Sequence, residues 1–232
     1  MCAEIGSGIQ IAMLLAIDST AAATRRALRG GGEMPAHRGG REARFCLAEL
    51  AGRLVELSSE GASAALTMAF GLVLDAQAAR EPVAWVGSDA STFYPPDVAE
   101  SGVDLAALLV VRIALDKVPK PMLAVPVAAE RLLRSGAFGL ILLDLGKDAV
   151  LSQPLQSRLL GLAQRHQTAL VCLTEKAPDA PSLGSLVSLR VQAQRRWLGR
   201  ERFACELHVH KDKRRGPIWS EREVCRGPLG LR

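Results

Sequence analysis

Aromatic residues are scarce in this chain, 4% of 232, so alanine and leucine have to supply most of any core. Lysine is also scarce: six stand against 23 arginines, a bias that a GC-rich coding sequence produces as readily as function does. Metal-ligand spacing is missing among the five cysteines, Cys2, Cys46, Cys172, Cys205 and Cys225, which are odd in number and widely spread. Cys172 falls in an apolar run that reads as a core strand. The cysteines therefore argue for reduced thiols in a cytoplasmic protein. The apolar run at residues 9–17 is too short to span a bilayer, for which about 20 residues are needed. It lacks a positively charged leader and does not read as a signal peptide, so a cytoplasmic location and no membrane partner are expected.

What is present is a globular composition. Hydrophobic residues make up 49%, and the length suits one α/β domain with a substantial core and short extensions. The net charge of +5 hides an asymmetry. Residues 190–232 hold twelve Lys/Arg against five Asp/Glu, so this segment carries +7 and the remainder −2. A positive field at that end draws an acidic partner or a nucleic acid backbone.

The chain is organised around residues 52–77, GRLVELSSEGASAALTMAFGLVLDAQ. Residues 53–57 read as a short strand closed by two serines. Residues 62–77 read as a helix, with Leu66, Ala69, Phe70, Val73 and Leu74 at spacings of three and four. Between them lies a tight loop, 58–61, containing Ser59 and Gly61. Strand, small-residue loop and helix are the layout of a P-loop, in which backbone N–H groups and a helix N-terminus face an anion. P-loop chemistry also needs a lysine on the phosphates and a hydroxyl on magnesium. Ala65 and Leu66 stand where those groups should fall.

This unit resembles the first strand, P-loop and helix of the RecA recombinase family, without a gap from residue 52 to residue 77. The flanks GRLVEL and LDAQ carry the likeness, and the loop departs from it. Taken alone, the stretch also fits an unrelated strand–helix crossover with a small, serine-rich loop. A degenerate RecA-like core in a small chain is similar to the ImuA-type accessory proteins of bacterial damage-induced mutagenesis. RecA-like division inhibitors related to SulA are neighbours in the same group.

Further motifs extend the resemblance over roughly residues 45–225. A strand at 83–86 leads into GSDASTFYPPDVAESGVDLAALLVV, which puts Asp89 where the family carries the glutamate that activates water; an aspartate is one methylene shorter and would misplace it, and bonding its own loop backbone is its other reading. A strand at 108–112 and an amphipathic helix at 125–135 follow. The helix runs into SGAFGLILLDLG, whose Asp144 ends a strand shaped like a Walker B motif. Such a carboxylate holds magnesium through water, but without the loop lysine and hydroxyl half the site is missing; capping a turn is its other reading. After a helix at 153–167 and an apolar strand at 170–173, Glu175 falls where the family has a nucleotide-sensing glutamine. Only short segments, 146–152 and 176–185, remain where the resemblance implies two long DNA-binding loops.

The two ends of the chain read differently. Within residues 1–44, residues 1–29 are expected to form an alanine- and leucine-rich helix, with Ile9, Met13, Leu14 and Ile17 on one stripe, followed by a glycine-rich linker that includes 30–40. By resemblance that helix packs on a neighbouring subunit, a second copy or RecA; the alternative is a helix folded back on its own domain. Residues 186–232 show period-two alternation in three runs, 186–194, 203–211 and 218–224, which predicts an antiparallel extension of the sheet. Arg195, Arg196 and Arg200 mark its first turn, and Lys211, Lys213, Arg214 and Arg215 its second; these seven are the candidates for sequence-independent contact with single- or double-stranded DNA. His208 and His210 share a face but have no third ligand nearby, so they read as a surface pair.

The expected architecture is therefore a RecA-like α/β domain at 45–232, a mostly parallel sheet flanked by helices with an antiparallel C-terminal extension. The resemblance implies a non-enzymatic accessory protein without a cofactor, working with RecA, with ImuB and with an error-prone polymerase of the replicative α-subunit class. A divergent RecA-like ATPase and a SulA-like division inhibitor are the alternatives.

Overall fold

The runs LVELSS, VAWVGS, LILLDLG and ALVCLTE are apolar at successive positions, which suits parallel strands covered by helices on two faces. They form β3 (Leu54–Ser59), β4 (Val83–Ser88), β6 (Leu140–Gly146) and β7 (Ala169–Glu175), and β5 (Leu108–Ile113) and β8 (Leu189–Gly199) join them in parallel. The computed structural model describes residues 2–4, 9–12, 45–61, 63–89, 91, 93, 95–147, 149–199, 202–217 and 219–226. With β1 (Cys2–Glu4), β2 (Ile9–Ala12), β9 (Arg202–Asp212) and β10 (Ser220–Arg226) the sheet has ten strands, in the order β1-β2-β5-β4-β6-β7-β3-β8-β9-β10. Antiparallel pairing is confined to its two margins, β1–β2–β5 and β8–β9–β10.

Side chains alternate between two cores because successive strand residues point to opposite faces. Val55, Leu57, Trp85, Leu142 and Val171 pack on α2 (Ala65–Ala78), whose Met68, Ala69, Leu72, Val73 and Ala76 are buried. Leu54, Ala84, Ile141, Leu143, Leu170 and Cys172 face the other way, towards α4 (Pro121–Ser135) and α5 (Gln153–His166). Two short helices, α1 (Leu47–Leu50) and α3 (Pro95–Glu100), complete the described elements with two turns of 3₁₀ helix. The few aromatics are concentrated: Phe70 stacks on Trp85 with ring centroids 5.1 Å apart, and Phe93 lies 5.3 Å from Trp85. Among the described residues no helix is long and apolar enough to cross a membrane.

The parallel core and the antiparallel extension are locked together by a buried ion pair. The Arg53 guanidinium, just ahead of β3, meets Asp212 at the end of β9 at 2.6 Å, and both side chains are buried. Arg53 also donates to Ser188, and Trp219 Nε1 donates to the second oxygen of Asp212 at 3.0 Å.

One expectation is corrected at the N-terminus. Residues 2–4 and 9–12 of the anticipated helix form strands β1 and β2, which pair with each other, and β2 pairs with β5 from Ile9↔Ile113 to Ala12↔Val110. The sequence IQIA fits either period, and pairing along β5 settles these residues as a strand, whereas a short helix without tertiary packing is marginal. The rest of that helix and the 30–40 linker lie outside the described residues.

Candidate functional site

Loops at the carboxyl ends of parallel strands converge where the strand order changes direction, and clefts form there. Here the ends of β3, β4, β6 and β7 surround a cleft of about 700 Å³. Ser59 closes β3, and Gly61 follows with φ 59°, the left-handed region that glycine enters most easily. Ser63 Oγ then accepts the N–H of Ala65 at 3.1 Å, and α2 begins with Ala65 and Leu66 facing the cleft. Two apolar side chains, Ala65 and Leu66, therefore line the cleft at the start of α2.

Across the cleft, Asp144 on β6 accepts a hydrogen bond from Ser91 Oγ at 2.6 Å. Gly87 makes that approach feasible: a Cβ on it would lie 3.1 Å from Ser91 and 3.2 Å from the Asp144 Cβ. At the mouth, Lys147 Nζ pairs with Glu175 at 3.1 Å. Behind Thr174, which also lines the cleft, Glu56 is fully buried on β3. Its carboxylate is met by Lys176 Nζ at 2.6 Å, by Ser182 Oγ at 2.7 Å and by the Leu183 N–H at 2.9 Å. The opposite wall is apolar, built from Leu115, Val125, Pro126, Met122 and Val150, the last two 66% and 70% exposed.

Six of the seven nucleotide-site positions drawn from the sequence meet in this cleft: Ser59, Gly61, Ala65, Leu66, Asp144 and Glu175. Asp89 is exposed and does not line it; its backbone N–H donates to the Ile113 carbonyl at 3.1 Å. Sequence reasoning missed Lys147, Ser91 and the apolar wall. Lys147 carried a weak signal, because it follows the DLG that ends β6.

The basic candidates do not form one surface. Arg195 and Arg196 lie towards the cleft end of β8, while Lys211, Lys213, Arg214 and Arg215 sit at the far end of β9 and in the turn after it. Most of this second group is engaged in holding the fold. Lys211 and Lys213 donate to the Ser185 carbonyl, Arg214 donates to the carbonyls of Glu49 and Ala51, and Arg215 pairs with Glu49 at 2.9 Å. Arg200 lies outside the described residues. His208 and His210 are exposed on β9, and among the described residues no three His, Cys, Asp or Glu side chains gather into a metal-binding group. No protein-family model matches the chain, and a comparison with characterised proteins finds no match.

Proposed function

We propose that this α/β protein is a RecA-like core stripped of its nucleotide chemistry, a non-enzymatic accessory protein of DNA-damage-induced mutagenesis of the ImuA type. Its partners on this reading are RecA, ImuB and an error-prone polymerase of the replicative α-subunit class. The observation that carries it is the meeting of Ser59, Gly61, Ala65, Leu66, Asp144 and Glu175 in one cleft, with alanine and leucine in place of the phosphate lysine and the magnesium hydroxyl. Among the described lining residues two carboxylates stand against one lysine, an unfavourable field for a triphosphate. A core in that condition keeps its surfaces for other proteins as its main asset.

The test is genetic. Cells without the gene should replicate normally but lose ultraviolet-induced mutation. Unchanged mutation frequency with altered filament length would instead support a SulA-like division inhibitor. A divergent ATPase is the other reading, and Lys147 at the cleft mouth favours it, since a lysine there is within the lining that a nucleotide would occupy.

A further inference from the structure

Strand β8 outruns its parallel neighbour. Its pairing with β3 ends at Ser58↔Gln192, whereas β9 stays alongside it as far as Gly199↔Arg202. Among the described residues, positions 193–199 therefore pair with a strand on one side only. Gln194, Arg195, Arg196, Trp197 and Leu198 follow one another and are all exposed. Because alternate residues face opposite sides, five exposed residues in a row leave both faces of this strand uncovered. Trp197 is 68% exposed, while Trp85 and Trp219 are 1% and 7% exposed. Soluble proteins usually blunt an open edge with charge or cover it; here it displays a leucine beside a tryptophan and two arginines, the last two being residue types that anchor interfaces.

We propose that this edge docks an extended segment of a partner protein, which adds as a strand along residues 193–199. The pattern of the edge specifies the pattern of the guest. One face offers Arg195 and Trp197 and the other Arg196, while Leu198 sits at the bulge between Trp197 and Gly199. Two adjacent acidic residues beside two adjacent apolar residues would place a carboxylate opposite each arginine, at Arg196 beside its existing partner Glu206 at 3.6 Å, and apolar side chains against Trp197 and the bulged Leu198. Backbone hydrogen bonds supply affinity and the four side chains supply selection. Arg195 is already braced, its guanidinium 5.4 Å above the Phe203 ring. A second copy of the chain is a poorer guest, since it would bring two segments of +7 edge to edge. The proposal rests on the reading that the protein works through protein contacts.

The full chain would be titrated with a synthetic peptide carrying the core Asp-Glu-Val-Phe, with the reversed core, with Lys-Lys in place of the acids, and with a central proline that cannot join a ladder. Trp197 is the exposed tryptophan, so its emission reports docking. An acidic-core peptide, in one direction or the other, is expected to shift that emission to the blue and to saturate, while the Lys-Lys and proline peptides do nothing. Trp197→Ala should abolish the signal, and Arg195→Glu with Arg196→Glu should weaken anisotropy-detected binding of the labelled peptide at least about tenfold. These residues are exposed, so the variants should fold, which circular dichroism checks. Binding of no acidic-core peptide, or equal binding of the Lys-Lys peptide, overturns the proposal. So does oligo(dT) binding at this strand without peptide binding, or self-association that Trp197→Ala removes. Nucleotide binding in the cleft would overturn the accessory-protein reading and leave the Trp197 signal intact, because Trp197 lies outside the cleft lining.

Discussion

Ser91 Oγ donates to Asp144 Oδ2 across 2.6 Å and ties the loop after β4 to the end of β6. The bond is charge-assisted and partly buried, so Ser91→Ala should cost roughly 1.5–3 kcal/mol by the usual worth of a hydrogen bond to a charged group. Urea denaturation measures it. A variant as stable as the parent would mean that Asp144 finds another donor.

The Arg53–Asp212 pair should matter more for stability. Burial favours protonation of the Asp212 carboxyl, but the Arg214 N–H, the Trp219 indole and Arg53 together hold its pKa below the usual carboxylate value. Breaking such a buried pair costs roughly 3–5 kcal/mol, and Asp212→Asn should show a loss of that order at neutral pH. A depressed carboxylate stabilises the fold fully above its unfolded pKa, and the contribution fades as pH falls through the folded value. Stability curves of parent and variant should therefore converge on acidification, below about pH 4. Parallel curves would contradict the assignment.

A thiol pair also has a definite chemistry. Cys205 Sγ lies 3.7 Å from Cys225 Sγ across β9 and β10. The hydrogen bond from Cys205 lowers the Cys225 pKa, and the same bond, with burial, raises that of Cys205. Burial raises Cys172 and Cys46 as well. Of these four thiols, only Cys225 is more than marginally exposed, so it should alkylate first with iodoacetamide under native conditions. Mass mapping that finds Cys46 or Cys172 labelled earlier would contradict this.

The two basic groups should separate experimentally. Charge reversal at Lys213, Arg214 and Arg215 removes contacts to Ser185, Glu49 and Ala51 and should lower the melting temperature by several degrees. Reversal at Arg195 and Arg196 removes only a cation–π contact to Phe203 and an exposed ion pair with Glu206 at 3.6 Å, so it should shift the melting temperature much less. Equal shifts would show that the exposed pair also holds the fold.

Much of the fold was legible because its strands are short apolar runs between clear turns, and the segments around β3, α2, β6 and β7 carry their period openly. The antiparallel extension was legible from alternation alone. Residues 9–12 were not: four residues of mixed apolar pattern do not fix a period, and the edge of β5 that decides the outcome is a hundred residues away. Within the cleft, the positions on β3, α2, β6 and β7 were found because each stands beside a recognisable strand end. Ser91, Lys147 and the Met122–Val150 wall reach it from separate loops and helices, and only the tertiary structure brings them together. The Cys205–Cys225 contact is of the same kind, twenty residues apart in sequence and adjacent through strand pairing.

The most direct test of the account is calorimetric titration of the full chain with ATP and magnesium. Charge-assisted contacts are worth about 1.5–3 kcal/mol each, so the missing lysine and hydroxyl should weaken binding on the order of a thousandfold. No measurable heat of binding at micromolar ATP is the expected result, for the parent and for Lys147→Ala alike. Micromolar binding by the parent that Lys147→Ala or Asp144→Ala abolishes would contradict the account and return the cleft to nucleotide chemistry.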